Sequence, residues 1–164
     1  MASPEPPPLD TNWRRELGHL LSQGDRAPDF EGIAHTGMRV KLSRFYGKPV
    51  VVYFGSTDAS PEGTAEARGY RDNWMRFNEK VGVVLGVTTD DRATHYDFAT
   101  AEKLPFLLVA DEQAHIARAF GVGAEGRAAN VAFIVDADGK VARVFSDASP
   151  EGRFAEVVKA LESQ

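Results

Sequence analysis

Hydrophobic positions follow two rhythms along this chain, and their alternation predicts the order of elements. Short continuous apolar runs at Val50–Phe54, 81–89 and 106–110 read as strands buried on both faces. Stretches with helical spacing separate them. Ser60-Pro61 starts a helix whose inner stripe carries Ala67, Tyr70, Trp74 and Phe77. A second helix is predicted from about 91 to 102, and a short third over 112–120. Val131–Val135 and Val141–Phe145 pair as a hairpin, with Asp138-Gly139 as its turn. A smaller hairpin is predicted from 30–34 and 38–42, across His35-Thr36-Gly37. Ser149-Pro150 caps a last helix with Phe154, Val157, Val158 and Leu161 at i, i+3, i+4, i+7. The series implies an α/β domain, a central mixed β-sheet flanked by helices.

The N-terminus breaks this rhythm. Residues 1–9 are proline-rich and read as an extended, polyproline-like arm. Asp10 or Thr11 then caps a predicted short helix to about Ser22, with Trp13, Leu17, Leu20 and Leu21 on one face. The chain thus divides into an arm and helix, residues 1–23, and a domain, residues 24–164. Two roles stay open for residues 1–22: an extra helix packed on the domain, or a docking arm for a protein partner or for self-association.

Composition narrows the function classes. A net charge of −5, without a Lys/Arg cluster along the sequence, argues against a nucleic-acid partner. No run approaches the ~18 apolar residues of a membrane span. Met1–Pro8 lacks the basic flank and apolar stretch of a secretion signal, so a cytoplasmic location is expected. His19, His35, His95 and His115 are scattered, with neither triad order nor metal-ligand spacing. Each is expected to have a surface or packing role, and neither a metal nor a cofactor is expected.

One absence changes the picture: the chain has no cysteine. The segment Tyr53-Phe54-Gly55-Ser56-Thr57-Asp58-Ala59-Ser60-Pro61-Glu62-Gly63-Thr64-Ala65-Glu66-Ala67-Arg68 is nonetheless laid out like a cysteine-peroxidase active site. Together with Gly24-Asp25-x-Ala27-Pro28-Asp29-Phe30, Gly47-Lys48-Pro49 before the first long strand, and Phe133-Ile134-Val135-Asp136-x-Asp138-Gly139-Lys140, it resembles the peroxiredoxins of the AhpC/TSA type. Within that family it resembles the bacterioferritin-comigratory, or peroxiredoxin Q, type. The resemblance covers roughly residues 24–161 and implies a thioredoxin-like fold of peroxiredoxin type.

It also implies four working parts: a shielding proline, a hydroxyl that orients peroxide, the attacking cysteine and a stabilising arginine. On this register the proline position holds Ser56, the hydroxyl position Ser60, the attacking position Gly63 and the arginine position Asn130. The second cysteine position holds Arg68. Only the hydroxyl is kept, and Arg127, three residues before Asn130, is the candidate for a shifted arginine. Thiol peroxidase chemistry needs a thiolate, and no side chain here supplies one.

Ser60, Glu62, Gly63, Thr64 and Arg127 are therefore the candidate ligand-binding residues of a vestigial pocket. Glu62 lies in the first helical turn, where the dipole favours an anion, and its carboxylate is a candidate to fill the thiolate's space. Against any special role, Ser60-Pro61-Glu62-Gly63 recurs letter for letter as Ser149-Pro150-Glu151-Gly152. Serine, proline and an early glutamate each favour helix initiation, so the motif also reads as a plain cap. Gly121, Gly123 and Gly126 imitate a dinucleotide fingerprint but precede a strand, where no helix N-terminus meets a phosphate. Two functions follow as expectations: a peroxiredoxin-like binding or interaction module without peroxidase activity, or an enzyme of non-thiol chemistry acting on a small polar ligand around Ser60–Thr64.

Overall fold

The computed structural model describes residues 11–123, 130–146 and 149–163. Its first two strands, β1 (Glu31–Ile33) and β2 (Arg39–Lys41), form the small antiparallel hairpin. There follow β3 (Val50–Phe54), α1 (Pro61–Asp72), the one-turn α2 (Trp74–Phe77), β4 (Val83–Thr88), α3 (Arg92–Glu102) and β5 (Leu107–Ala110). The chain closes with α4 (His115–Ala119), β6 (Val131–Val135), β7 (Val141–Phe145) and α5 (Pro150–Glu162). The main sheet has the order β5-β4-β3-β6-β7. β3 runs parallel to β4 and antiparallel to β6, so the sheet is mixed as the pattern predicts.

β3 lies at the centre, which explains its unbroken apolar run. Val50, Val52 and Phe54 face one core with Phe30, Phe120 and Phe133. Val51 and Tyr53 face the other with Tyr70, Phe77 and Leu161. Strand side chains alternate faces, so a strand covered on both sides has no polar position to spare. Burial of each such apolar side chain contributes roughly 1.5–3 kcal/mol before entropy is counted. The site-bearing loop after Phe54 therefore leaves the central, fully buried strand of the sheet.

Two predicted helices change in the structure. The long helix after Ser60 breaks at Asn73, whose backbone leaves helical geometry (φ −102°, ψ 7°) while its side-chain amide donates to the Gly69 carbonyl at 2.8 Å. That side-chain bond offers the backbone an alternative to the next helical turn. The predicted helix ending near Ser22 does not form over the described residues from 11 onward. This segment instead crosses the domain, and its N–H groups at Leu17 and Leu21 donate to the carbonyls of Arg118 (3.2 Å) and Phe120 (3.0 Å). An isolated helix of this length is marginal, so pairing to the domain wins. Trp13 meets Phe30 edge-on and Leu21 is buried, so the apolar stripe serves the chain's own core. Gly121 makes the crossing possible. It has φ +75°, and a Cβ there would collide with the His19 carbonyl oxygen.

α1 and α5 pack side by side over a buried ion pair. Glu66 accepts from Arg153 Nε at 2.9 Å and from the Tyr70 hydroxyl at 3.0 Å. Burial pushes the Glu66 carboxyl above its usual range even though Arg153 pulls the other way. Among the described residues no helix is long and apolar enough to cross a membrane.

Candidate functional site

The loop between β3 and α1 is held by hydrogen bonds from both sides. Ser60, in extended geometry, caps α1: its hydroxyl oxygen accepts from Gly63 N–H at 2.9 Å. The same hydroxyl donates to the Thr57 carbonyl at 2.9 Å, and Thr64 donates to the Asp58 carbonyl at 3.0 Å. Both hydroxyls of the old peroxide loop are thus engaged with main chain.

From the other side, Asp90 grips the same turn. Its carboxylate accepts from the Thr57 hydroxyl (2.9 Å), the Asp58 N–H (2.7 Å) and the Thr88 hydroxyl (2.8 Å). His95, fully buried on the inner face of α3, pairs its Nδ1 with the buried Asp58 carboxylate. Its Nε2 stands 3.3 Å from the Thr88 hydroxyl oxygen. Thr88 has one hydroxyl proton. With that proton donated to Asp90, Nε2 of His95 is the donor to Thr88.

Ligand atoms of Asp58, Asp90 and His95 lie within 4.8 Å of one another, a spacing that could suit a cation. The donor set is, however, already engaged by Thr57, Thr88, the Asp58 amide and the Asp58–His95 contact. A cation would have to displace these bonds. The cluster fits a lock on the loop better than a seat for an ion.

The lock closes the space around Gly63, the position that the resemblance assigns to the attacking cysteine. A Cβ built on Gly63 would collide with the Thr57 carbonyl oxygen and lie 3.0 Å from the Asp58 carbonyl oxygen and 3.1 Å from Ser60 Oγ. Main chain, and not the carboxylate of exposed Glu62, fills that space. The other family positions are equally remote from peroxide chemistry. Ser56 is exposed, and only its carbonyl is engaged, by the Thr89 hydroxyl at 3.1 Å. Arg68 is exposed and forms a bidentate pair with Glu102 of α3 at 2.8 and 2.9 Å. Asn130 sits beside Gly55, its side-chain oxygen 3.5 Å from where a Cβ would stand. Arg127 lies outside the described residues.

Of the four histidines, His19 is exposed and His115 half-buried, in keeping with ordinary roles. His35 packs between β1 and β5, where its Nδ1 accepts from Leu108 N–H at 3.2 Å. Burial, then the nearby His95, lowers its pKa. His95 departs from expectation, because the fold carries it from α3 to the base of α1. A signal was available: the buried positions of α3 are His95 and Ala99, one helical turn apart, so a polar ring shares the apolar stripe.

Comparison with known proteins agrees with this fold. The model of the AhpC/TSA family matches residues 23–144. The chloroplastic peroxiredoxin Q of Oryza sativa subsp. japonica is 34% identical over 163 residues, which cover 95% of this chain and 74% of the relative. Peroxiredoxin Bcp of Bacillus subtilis is 40% identical over 99 residues, 60% of this chain and 63% of that protein. Among solved structures, peroxidoxin BcpB of Mycobacterium tuberculosis superposes with a TM-score of 0.78 at 29% identity, covering 88% of this chain and 98% of that one.

Proposed function

Because the chain belongs to the AhpC/TSA family yet has no cysteine, we propose that it is a peroxiredoxin-like protein that works as a binding or interaction module without peroxidase activity. The observation that carries this reading is the closed position at Gly63. A side chain there meets the Thr57 and Asp58 carbonyls, which the Asp90 and His95 bonds hold in place. A family member that had lost only its sulfur would keep the room for it.

Non-thiol chemistry around Ser60–Thr64 has less support. A hydroxyl nucleophile needs a base within hydrogen-bond reach. The Ser60 proton is directed to the Thr57 carbonyl, and the nearest histidine network engages Asp58 and Thr88 instead. Docking through residues 1–22 also loses support, since Trp13, Leu17, Leu20 and Leu21 pack against the domain's own core. Deleting residues 1–22 is expected to lower the unfolding midpoint.

The test is consumption of hydrogen peroxide and an alkyl hydroperoxide by the full chain with thioredoxin, its reductase and NADPH. The expected rate equals the protein-free blank. Protein-dependent turnover well above the blank would overturn the proposal and require a non-thiol mechanism.

A further inference from the structure

A second recess lies where the 11–22 segment crosses the end of α4. It has a volume of about 280 Å3 and is lined by Arg14, Arg15, Glu16, His115 and Arg118. No run of basic residues announces it in the sequence. The arginines converge from two distant segments because Leu17 N–H donates to the Arg118 carbonyl. Main-chain pairing, and not a bond between side chains, therefore sets their spacing.

The charges around this recess are unbalanced. Three arginines and a histidine line it with a single glutamate, in a chain whose net charge is −5. Several other arginines meet acids: Arg68 and Arg71 pair with Glu102, Arg76 with Glu162, and Arg153 with Glu66. Among the described residues the Arg14, Arg15 and Arg118 side chains meet no carboxylate. The Arg14 guanidinium rests over the Trp13 ring, 5.4 Å from its centroid. Gathering like charges is unfavourable by itself, and a bound anion relieves it.

We propose that this recess binds a small ligand through a phosphate monoester group. A phosphate dianion answers two positive charges at once, and guanidinium forks donate paired N–H bonds to its oxygens. The size of the recess admits a phosphate with a small organic group. The overall negative charge opposes a long polyanion such as nucleic acid. Trp13 is covered by Arg14 and meets Phe30 edge-on, so recognition is electrostatic and not by ring stacking. The recess shares no lining residue with the loop at Gly63, and its ligand is independent of the functional reading made there.

Calorimetric titration of the full chain with phenyl phosphate at neutral pH and low salt tests this. Low salt matters because exposed charges are screened beyond about 10 Å at 0.1 M ionic strength. The expected result is one saturable site, with affinity lowered at least about tenfold by Arg14→Gln combined with Arg118→Gln. Arg44→Gln, an exposed arginine outside the recess, is expected to leave affinity unchanged. No saturable binding, equal affinity in the double variant, or an equal loss in Arg44→Gln would each overturn the site. Benzoate binding as tightly as phenyl phosphate would overturn the assignment to phosphate.

Discussion

The tetrapeptide Ser-Pro-Glu-Gly starts two helices of this molecule, α1 at Ser60 and α5 at Ser149, and the same local chemistry results. Each serine accepts from the glycine N–H three residues on, at 2.9 Å in one case and 3.0 Å in the other. The surroundings differ. The α5 cap is exposed. The α1 cap rests on a turn gripped by Asp90 and, through Asp58, by buried His95. Four residues specify a helix start, and only long-range partners turn one of the two starts into a closed site. That is why the repeat in the sequence suggested a plain cap without revealing what lay beneath it.

Removal of the lock beneath α1 should have the largest effect. His95→Ala leaves the buried Asp58 carboxylate without its partner and is expected to destabilise the fold by about 3 kcal/mol or more, read by urea unfolding. A loss below about 1 kcal/mol would make the cluster incidental. The glycines divide the two caps next. Gly63→Ala drives a methyl group into the Thr57 carbonyl and should cost about 1–3 kcal/mol, against the gain in helix propensity. Gly152→Ala in α5, on helix propensity alone, should be neutral or stabilising by up to about 1 kcal/mol. Equal effects at the two positions would erase the distinction.

The serines should differ less. Loss of either cap is expected to cost about 1 kcal/mol, with Ser60→Ala the worse because its cap bond is part-buried and that of Ser149 exposed. Parallel thermal unfolding of the two variants checks the order.

The smallest effect concerns pH, at His35 beside β5 and the start of α3. Burial lowers the folded pKa of His35, so below about pH 6.5 the unfolded chain binds a proton that the folded chain resists. Stability from this group therefore falls as pH drops through that window and is regained as pH rises. Comparing unfolding free energy with pH in wild type and His35→Gln should show a shallower acid slope in the variant.

The mixed sheet and the order of elements along the chain were legible because β3, β4 and β5 announce burial through short apolar runs, and β6 and β7 through their hairpin turn. The last helix was legible through its cap and its Phe154–Leu161 spacing. The N-terminal helix was misread: Trp13, Leu17 and Leu21 have helical spacing, but main-chain bonds to Arg118 and Phe120 override a weak local preference. At the candidate site the resemblance assigns the family positions to residues such as Gly63 and Asn130, near one helix start and one strand start. The lock was not legible, because its members come from the loop at 57–58, the end of β4 and the middle of α3. No spacing rule connects Asp58 to His95. Glu66 and Arg153 were hidden for the same reason, each an acid or base on an otherwise apolar face whose partner lies on another helix.

The central claim is that the thiolate's place is closed by main chain, and a sulfur put back at that position tests it most directly. In Gly63→Cys the Thr57 and Asp58 carbonyls must move to admit even the Cβ atom. The account predicts a destabilised protein whose thiol consumes hydrogen peroxide no faster than free cysteine at the same pH. Consumption orders of magnitude faster than free cysteine, in a variant as stable as the wild type, would contradict it.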